Sequence, residues 1–288
     1  MGNFLIVRAS QLDRYRDCGR SGSLRFAEET DGKIRSLSKT VQDQGHVLAE
    51  TSNSIAAAQG TSLHAMMAEL FKQKLGYGQM NLADAFAVRE QSFMEEVSKG
   101  VIWDATTPHI ETAKAQVLAM ARALLPIAEM TDPLNVEDEL VHDISPLGNE
   151  AVPIRLVGHR DLRDRRFEIH DHKTGTEFPA CYAQLGAYAM LTLYKEQEVS
   201  AVRVNYAPRL PMSRLHETQV RSLRLDVDDC MKAAWSTLLE IQTHYMRWLE
   251  SGSPWSFPAN PYSQTCTPKY CKAYGTGTWC TIGAIQDG

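Results

Sequence analysis

Apolar residues recur along this chain with two different periods, and the period changes near Pro133. Before that point the spacing is that of amphipathic helices, which predicts helices over residues 10–25, 60–75, 82–98 and 110–130. Residues 30–55 are polar and show no period, so we expect a loop there.

After Pro133 apolar and polar residues alternate, as they do in half-buried strands. The alternation predicts strands over residues 136–144, 152–161, 167–173 and 201–206. Helical spacing returns between the last two strands, at 180–195, and again at 231–249, where Gly252 and Pro254 follow as stop signals. The tail from Pro258 onward is rich in Gly, Pro, Thr and Cys and would not form a core alone. The predicted class is α/β, a small mixed sheet flanked by helices.

Composition is that of a globular protein, with 288 residues, 43 % hydrophobic and 23 % charged. The net charge of -5 and the pI of about 6.0 lack the basic footprint of many nucleic-acid-binding domains, although a local basic groove and bound metal ions can hold phosphates. No apolar stretch is long enough for a secretory signal or a membrane span, so we expect a cytoplasmic protein without membrane contact. In that reducing compartment, six cysteines are expected to be metal ligands, catalytic residues or core residues rather than disulfides.

Two carboxylates and a lysine occupy neighbouring predicted strands. The first strand ends in Gly158-His159-Arg160-Asp161, and after a polar turn the second contains Asp171-His172-Lys173-Thr174-Gly175. Alternate side chains of a strand share a face, so Asp171 and Lys173 continue the apolar face of Ile169. If the hairpin closes, Asp161 meets Asp171, and two converging carboxylates suit Mg²⁺ or Mn²⁺. The lysine could then orient water or stabilise charge on a phosphate.

Two alternatives compete with this interpretation. A solvated Asp-Lys pair at a hairpin end is common, and D-x-K alone would not exclude it. A zinc site could instead form from Asp161 with the histidines at 159, 170 and 172, but no H-E-x-x-H or comparable helix pairing supports it. The metal-site interpretation gains weight from Gln184, eleven residues after Lys173, and from Tyr188 at i+4 on the same helix face.

In order, the chain contains G-x-x-x-H ending at His64, an acidic strand, G-x-x-D, D-x-K-T-G and Q-x-x-x-Y. This order resembles the RecB-like branch of the PD-(D/E)XK nucleases, over Ser10 to Cys280. The resemblance implies a restriction-endonuclease-like core with a helical N-terminal elaboration. It also implies functional residues. The metal ligands would be His64, Asp161, Asp171 and either Glu137 or Glu139, of which we favour Glu139, with the His172 carbonyl as a further candidate. The catalytic lysine would be Lys173, with Gln184 and Tyr188 positioning it or the DNA.

Three cysteines, Cys266, Cys271 and Cys280, occur in the tail with the spacing C-x4-C-x8-C. Cys18 is the best candidate for a fourth ligand. One early and three late cysteines resemble RecB-like nucleases that carry an iron-sulfur cluster, including AddB-type and CRISPR-associated enzymes, and imply a [4Fe-4S] cluster. The spacing departs from the C-x2-C-x5-C of that family, which leaves zinc as an alternative. Cys181 and Cys230 lie in helical patterns and are expected in the core.

Together these features predict a single nuclease domain over residues 1–288. Its expected parts are a mainly helical segment at 1–132, the nuclease core at 133–250 and a cluster-binding tail at 251–288 that packs on the N-terminal helix. The expected activity is metal-dependent hydrolysis of DNA by an exonuclease acting on single strands or ends, in recombination, repair or phage replication. The main alternative is a cleavage-deficient DNA-binding subunit of a recombination complex. An iron-sulfur redox protein is a third possibility, but no site for a redox partner is visible.

Overall fold

A computed structural model describes residues 3–51, 53–148, 151–195 and 197–283 of the chain. Within those ranges the helices are α1 (Leu12–Asp17), α2 (Gly19–Ser23), α3 (Leu37–Asp43), α4 (Ile55–Tyr77), α5 (Leu82–Ser98), α6 (Ile110–Met130), α7 (Tyr182–Tyr194) and α8 (Val227–Ser251). The strands are β1 (Phe4–Arg8), β2 (Ala27–Thr30), β3 (Lys33–Ser36), β4 (Asn53–Ser54), β5 (Val101–Ile102), β6 (Pro133–Ile144), β7 (Ile154–Asp164), β8 (Glu168–Gly175), β9 (Ala201–Pro208) and β10 (Arg221–Leu225).

The main sheet is mixed and has the order β10-β9-β8-β7-β1-β2-β3, with β6 also paired to β7. Strand β1 runs parallel to β7, and β8 runs parallel to β9, whereas the other pairs are antiparallel. Because β6 occupies one edge of β7 along its length, β1 and β8 must share the other edge. Strand β1 pairs with β7 through Val157, and β8 pairs with it from Leu162, so Gly158–Asp161 lie in a fork between them.

Helices cover both faces of this sheet. On one face α7 and α8 pack over a core that includes Ile169 and Val204, and on the other α4 and α6 pack over Leu162 and Ala207. Helix α7 lies unusually close to α8, because a Cβ added to Gly186 would be only 1.9 Å from the Cys230 carbonyl oxygen. The predicted α/β class, a mixed sheet flanked by helices, is confirmed. None of the described helices combines the length and hydrophobicity needed to cross a membrane.

Most predicted elements are confirmed, and those over 82–98 and 110–130 have the predicted ends. The helix predicted over 10–25 divides at Cys18, whose backbone is extended with φ -154° and ψ 104°. The loop expected over 30–55 is wrong in part, since it contains β3 and α3. Helix α3 is only seven residues long and buries two apolar side chains, Leu37 and Val41, which is too short a pattern to show a period.

The expected boundary at residue 132 does not separate helices from the sheet. Strands β1, β2 and β3 come from the first 36 residues and extend the sheet beyond β7. The short run that forms β1 has no turn signals to mark it, and its parallel partner β7 begins almost 150 residues later. That the chain forms a single domain stays a prediction.

The tail packs on α1 and α2. The Trp279 Nε1–H donates to the Arg20 carbonyl at 3.1 Å, and the Arg20 N–H donates to the Pro258 carbonyl at 2.8 Å. The tail also buries more apolar surface than its composition suggested, because Phe257 and Trp279 are both fully buried and Phe257 contacts both Trp248 and Trp279. Burial therefore contributes to holding the tail.

Candidate active site

The fork in the sheet contains the first predicted carboxylate. Asp161 is the last residue of β7 before its pairing with β8 begins. Its Oδ2 accepts a hydrogen bond of 2.8 Å from the backbone N–H of His172. The carboxylate thus replaces a carbonyl oxygen of the sheet ladder, which satisfies the His172 N–H where the two strands separate.

Helix α4 brings His64 to this carboxylate. The distance from His64 Nδ1 to Asp161 Oδ2 is 3.2 Å, and ligand atoms of His64, Asp161 and Glu137 all lie within 4.8 Å of one another. Burial alone would lower the pKa of His64, but Asp161 outweighs it and raises that pKa to about 9. Burial would raise the pKa of Asp161, and His64 instead keeps it well below its usual range. The group has the donor types and spacing to bind one divalent cation.

Glu137, not the favoured Glu139, lies at this group. Glu139 is exposed, and its carbonyl accepts from Lys195 Nζ at 3.1 Å. Glu137 has a left-handed backbone with φ 52°. Its neighbours Val136 and Asp138 pair with β7, but Glu137 itself does not. The two glutamates are therefore not equivalent positions of a regular strand, and the prediction of Glu139 is corrected.

The second carboxylate and the lysine form a buried ion pair on the neighbouring strand β8. Asp171 is 1 % exposed, and Lys173 Nζ lies 3.1 Å from its Oδ1 and 3.0 Å from its Oδ2. Burial and the nearby Asp161 raise the pKa of Asp171, against the effect of Lys173. The alternation predicted for this strand is confirmed, because Ile169, Asp171 and Lys173 face α7, whereas His172 faces α4.

Helix α7 holds the lysine through Gln184. Lys173 Nζ donates to Gln184 Oε1 at 3.0 Å, and Gln184 Nε2 donates to the Tyr188 hydroxyl at 2.8 Å and approaches Asp171 Oδ1 at 3.3 Å. Burial raises the pKa of Tyr188 well above its ordinary value, so its hydroxyl stays protonated. The predicted Lys173, Gln184 and Tyr188 therefore form one connected chain.

Asp13 is a supporting residue that the sequence did not reveal. Its carboxylate accepts from the backbone N–H groups of Ala183 at 3.2 Å and Gln184 at 2.9 Å. These are N–H groups of the first turn of α7, and the N-terminal cap of α7 is Cys181, whose side chain does not cap them. A cap supplied from α1 has no local sequence signal.

The histidines of the rival zinc site do not converge. His170 interacts with Asp164 Oδ2 at 3.3 Å in a separate group with Glu168, and His159 is exposed beside Glu137. His172 stacks on Phe71 with ring centroids 5.9 Å apart, and burial lowers its pKa to about 3, so the ring is neutral.

The four cysteines predicted as ligands line one small cavity of about 10 Å³. Cys18, Cys271 and Cys280 are buried and Cys266 is half-buried. The buried guanidinium of Arg20 also lines the cavity, with Nη1 4.0 Å from Cys280 Sγ. Cys181 and Cys230 lie in the core, where burial raises the pKa of each thiol to about 12.

Comparison with known families identifies the fold and chemistry. The family model described as the PD-(D/E)XK nuclease superfamily matches residues 9–275, nearly the whole chain. The chain belongs to the PD-(D/E)XK nuclease superfamily. Its membership makes it a nuclease-family protein that depends on divalent metal, and the acidic group at the fork fits that requirement.

One solved structure agrees with this PD-(D/E)XK assignment at the level of the fold. A crystal structure described as a "putative exonuclease" from Eubacterium rectale is 9 % identical, with a TM-score of 0.51, and the alignment covers 90 % of this chain and 86 % of that one. A structure described as SSO0001 is 13 % identical over 70 % of this chain and 82 % of that one, with a TM-score of 0.27. No curated protein matches the chain.

Proposed function

We propose that this protein is a Mg²⁺- or Mn²⁺-dependent deoxyribonuclease that hydrolyses phosphodiester bonds as an exonuclease, on single strands or at DNA ends. The observation that carries the proposal is the buried Asp171–Lys173 pair, whose ammonium is fixed by Gln184, beside the fork that holds Asp161. A surface Asp-Lys pair would have no need of this burial or of a second helix to hold it.

In the proposed site, His64, Asp161 and Glu137 would hold the metal, and Asp171 and the His172 carbonyl would complete its coordination from β8. Asp171 fits this role because its Oδ2 is buried without a hydrogen-bond donor, although it lies near Lys173. A divalent ion supplies positive charge for the phosphate oxygens. The Lys173 ammonium, held on one side by Asp171 and Gln184, directs a remaining N–H toward the attacking water or the charge that develops on the phosphate.

The exonuclease activity is supported by the motif order shared with RecB-like nucleases and by the name of the Eubacterium rectale protein, whose fold this chain shares. Processing of DNA ends in recombination, repair or phage replication, in the cytoplasm, is the corresponding proposed role. The alternative is a subunit that binds DNA without cutting it. The presence of all the motif carboxylates together with Lys173, Gln184 and Tyr188 favours an active enzyme over a subunit that does not cleave.

The decisive experiment uses single- and double-stranded DNA labelled at either end, with Mg²⁺, Mn²⁺ or EDTA. We expect metal-dependent release of short products from one end and none in EDTA. A closed circular single strand should survive if the enzyme is an exonuclease, whereas its cleavage would reassign the protein as an endonuclease. DNA binding without product in either metal would favour the non-cleaving subunit.

We also propose that Cys18, Cys266, Cys271 and Cys280 bind a [4Fe-4S] cluster. Burial raises the pKa of Cys266, and the other three thiols raise it further, so four such groups need a cation to ionise together. The Arg20 guanidinium near Cys280 would offset thiolate charge. In a tetrahedral zinc site, the sulfurs would lie about 3.8 Å apart given a Zn–S bond of about 2.3 Å. Among the described residues, the groups with three or more ligand atoms within 4.8 Å contain no cysteine. Thiolates that bind four different irons lie farther apart, which favours the cluster over zinc.

Anaerobic purification tests the cluster proposal. We expect brown protein with broad absorbance near about 400 nm and about four irons per chain, as for thiolate-bound iron-sulfur centres. Colourless protein with one zinc per chain would replace the cluster by the alternative metal.

A further inference from the structure

Two adjoining cavities open beside the four cysteines, with volumes of about 610 and 370 Å³. Both are lined by Arg14, Arg25 and Tyr270. Arg8 and Lys272 line only the first, and Lys269 lines only the second. No aspartate or glutamate lines either cavity. We call this surface, defined by Arg8, Arg14, Arg25, Lys269, Tyr270 and Lys272, the basic groove.

The positive charge of the basic groove is not neutralised by the protein. In the part of the chain that the structure describes, none of its five cations forms an ion pair with a carboxylate, although the whole chain carries a net charge of -5. Arg14 Nε is buried without a hydrogen-bond partner, while its Nη2 donates to the Tyr270 carbonyl at 2.8 Å. Partial burial lowers the pKa of Arg25, and the positive charge of Arg14 lowers it further. Arginines that repel each other across an open groove favour an anion between them.

Helix α4 extends from the basic groove to the active site. Asn53, Ser54 and Ala57, at the N-terminal end of this helix, line the second cavity. His64 lies nine residues after the helix begins, about 13 Å along its axis at about 1.5 Å per residue. Between them Gly60 faces β8, since a Cβ there would be 3.3 Å from Thr174 Oγ1. A few nucleotides of one DNA strand span this distance, since the rise is about 3.4 Å per nucleotide in a duplex and larger in an extended single strand.

We propose that the basic groove binds the phosphate backbone of single-stranded DNA while a nucleotide a few positions away occupies the active site. This inference rests on the proposed nuclease function and specifies how the substrate is held. A single strand is favoured over a duplex because Tyr270, which is 36 % exposed among these cations, offers an aromatic ring on which an unpaired base can stack. The cations would release counterions as they bind, so affinity should depend strongly on salt.

The groove and the cysteine cavity share one wall. Lys269 and Tyr270 lie between Cys266 and Cys271, and Lys272 follows directly. Ser21 lines the cysteine cavity and the first cavity of the groove, while Thr265 lines the cysteine cavity and the second. The fold of the tail around its cysteines therefore also positions three groove residues.

The test measures the anisotropy of a fluorescent 20-nucleotide oligothymidylate in EDTA, with full-length protein. The variant is Arg25→Gln with Lys272→Gln, both exposed positions. Its matched control, Lys99→Gln with Lys232→Gln, removes the same charge from two exposed lysines outside the groove. We expect the groove variant to raise Kd at least about tenfold. Two lost phosphate contacts should also reduce the slope of log K against log salt by about 1.4. The control should bind like the wild type.

A second measurement separates this inference from the nuclease proposal. Thymidine 5′-(p-nitrophenyl phosphate) is too small to reach the groove, so with Mn²⁺ the groove variant should hydrolyse it at the wild-type rate. If the variant binds oligothymidylate with the wild-type Kd and salt slope, the groove assignment is overturned. Weakened binding of a 20-base-pair duplex alone would overturn the assignment to single strands. If the wild type binds DNA through the groove but hydrolyses neither oligothymidylate nor thymidine 5′-(p-nitrophenyl phosphate) with Mn²⁺, the nuclease proposal fails while the groove assignment is retained.

Discussion

Asp13 holds the backbone of Gln184 from 171 residues away, through a hydrogen bond of 2.9 Å from the Gln184 N–H to its carboxylate. Gln184 in turn accepts the hydrogen bond from Lys173. One carboxylate on α1 thus fixes the start of α7 and, through it, the ammonium of the proposed active site. Asp13 is a positioning residue, since it contacts neither Asp161 nor Asp171 among the described hydrogen bonds.

Asp13→Ala should therefore lower both stability and activity. The loss of a helix cap costs about 1 kcal/mol of unfolding free energy, and misplacement of Gln184 should lower kcat more than it raises KM. Asn81→Ala is the matched control, because the Asn81 side chain caps α5 and its hydrogen bonds reach neither Lys173 nor Gln184. Equal stability losses with a lower kcat only for Asp13→Ala would support positioning. Unchanged kcat in Asp13→Ala would limit its role to stability.

Asp161→Ala, Asp171→Ala and Lys173→Ala should each remove nearly all cleavage of labelled DNA. Each change removes either proposed metal charge or transition-state stabilisation, and residues that act as a unit give double variants little worse than the singles. Lys232→Ala, an exposed lysine on α8, is the control and should cleave normally. Purified Lys173→Ala with wild-type activity would refute the proposed site.

Glu137→Gln should weaken Mn²⁺ binding in calorimetric titration, whereas Glu139→Gln should leave it unchanged. The reason is the left-handed backbone of Glu137, which takes its carboxylate to His64 and Asp161 while Glu139 stays exposed. The two variants differ by two positions and carry the same substitution, so each is a control for the other. The opposite result would return the ligand role to Glu139.

Gly186→Ala should destabilise the protein, because its new Cβ would collide with the Cys230 carbonyl and push α7 away from α8. We expect a loss of about 1–3 kcal/mol, typical of overpacking, measured by urea denaturation. Gly76→Ala is the control. It also lies in a helix but has open space at its Cβ, so it should be neutral or stabilising by up to about 1 kcal/mol. Similar stability for both variants would mean that the α7–α8 contact can relax.

Cys18→Ser and Cys271→Ser should cause similar losses of iron and of thermal stability, although the two cysteines lie near opposite ends of the chain. A cross-link that closes so long a loop restricts the unfolded chain by about 5 kcal/mol, an upper value for a metal cluster. Cys230→Ala, a core substitution away from the cavity, should keep its iron. Iron analysis and melting curves measure both quantities. Full iron content in Cys18→Ser would exclude a clamp between the two ends.

Helices and strands that show a hydrophobic period over neighbouring residues can be predicted from the amino-acid sequence alone. The periods of α5, α6 and β8 depend on neighbouring residues, so the helix ends and the face shared by Asp171 and Lys173 could be read directly. Motif order also led to the family, because the spacing of D-x-K and Q-x-x-x-Y reflects a strand followed by a helix.

Contacts between segments that are far apart in the chain are visible only in the folded structure. The cap from Asp13 to α7 and the joining of β1 to β7 both connect residues more than 100 positions apart, which no local pattern encodes. The choice between Glu137 and Glu139 depends on the left-handed backbone of Glu137, whereas strand periodicity assumes a regular extended backbone at both positions. The basic groove likewise consists of residues from α1, the segment after α2, the start of α4 and the tail. Its positive charges are scattered along a sequence of net negative charge and come together only in the folded chain.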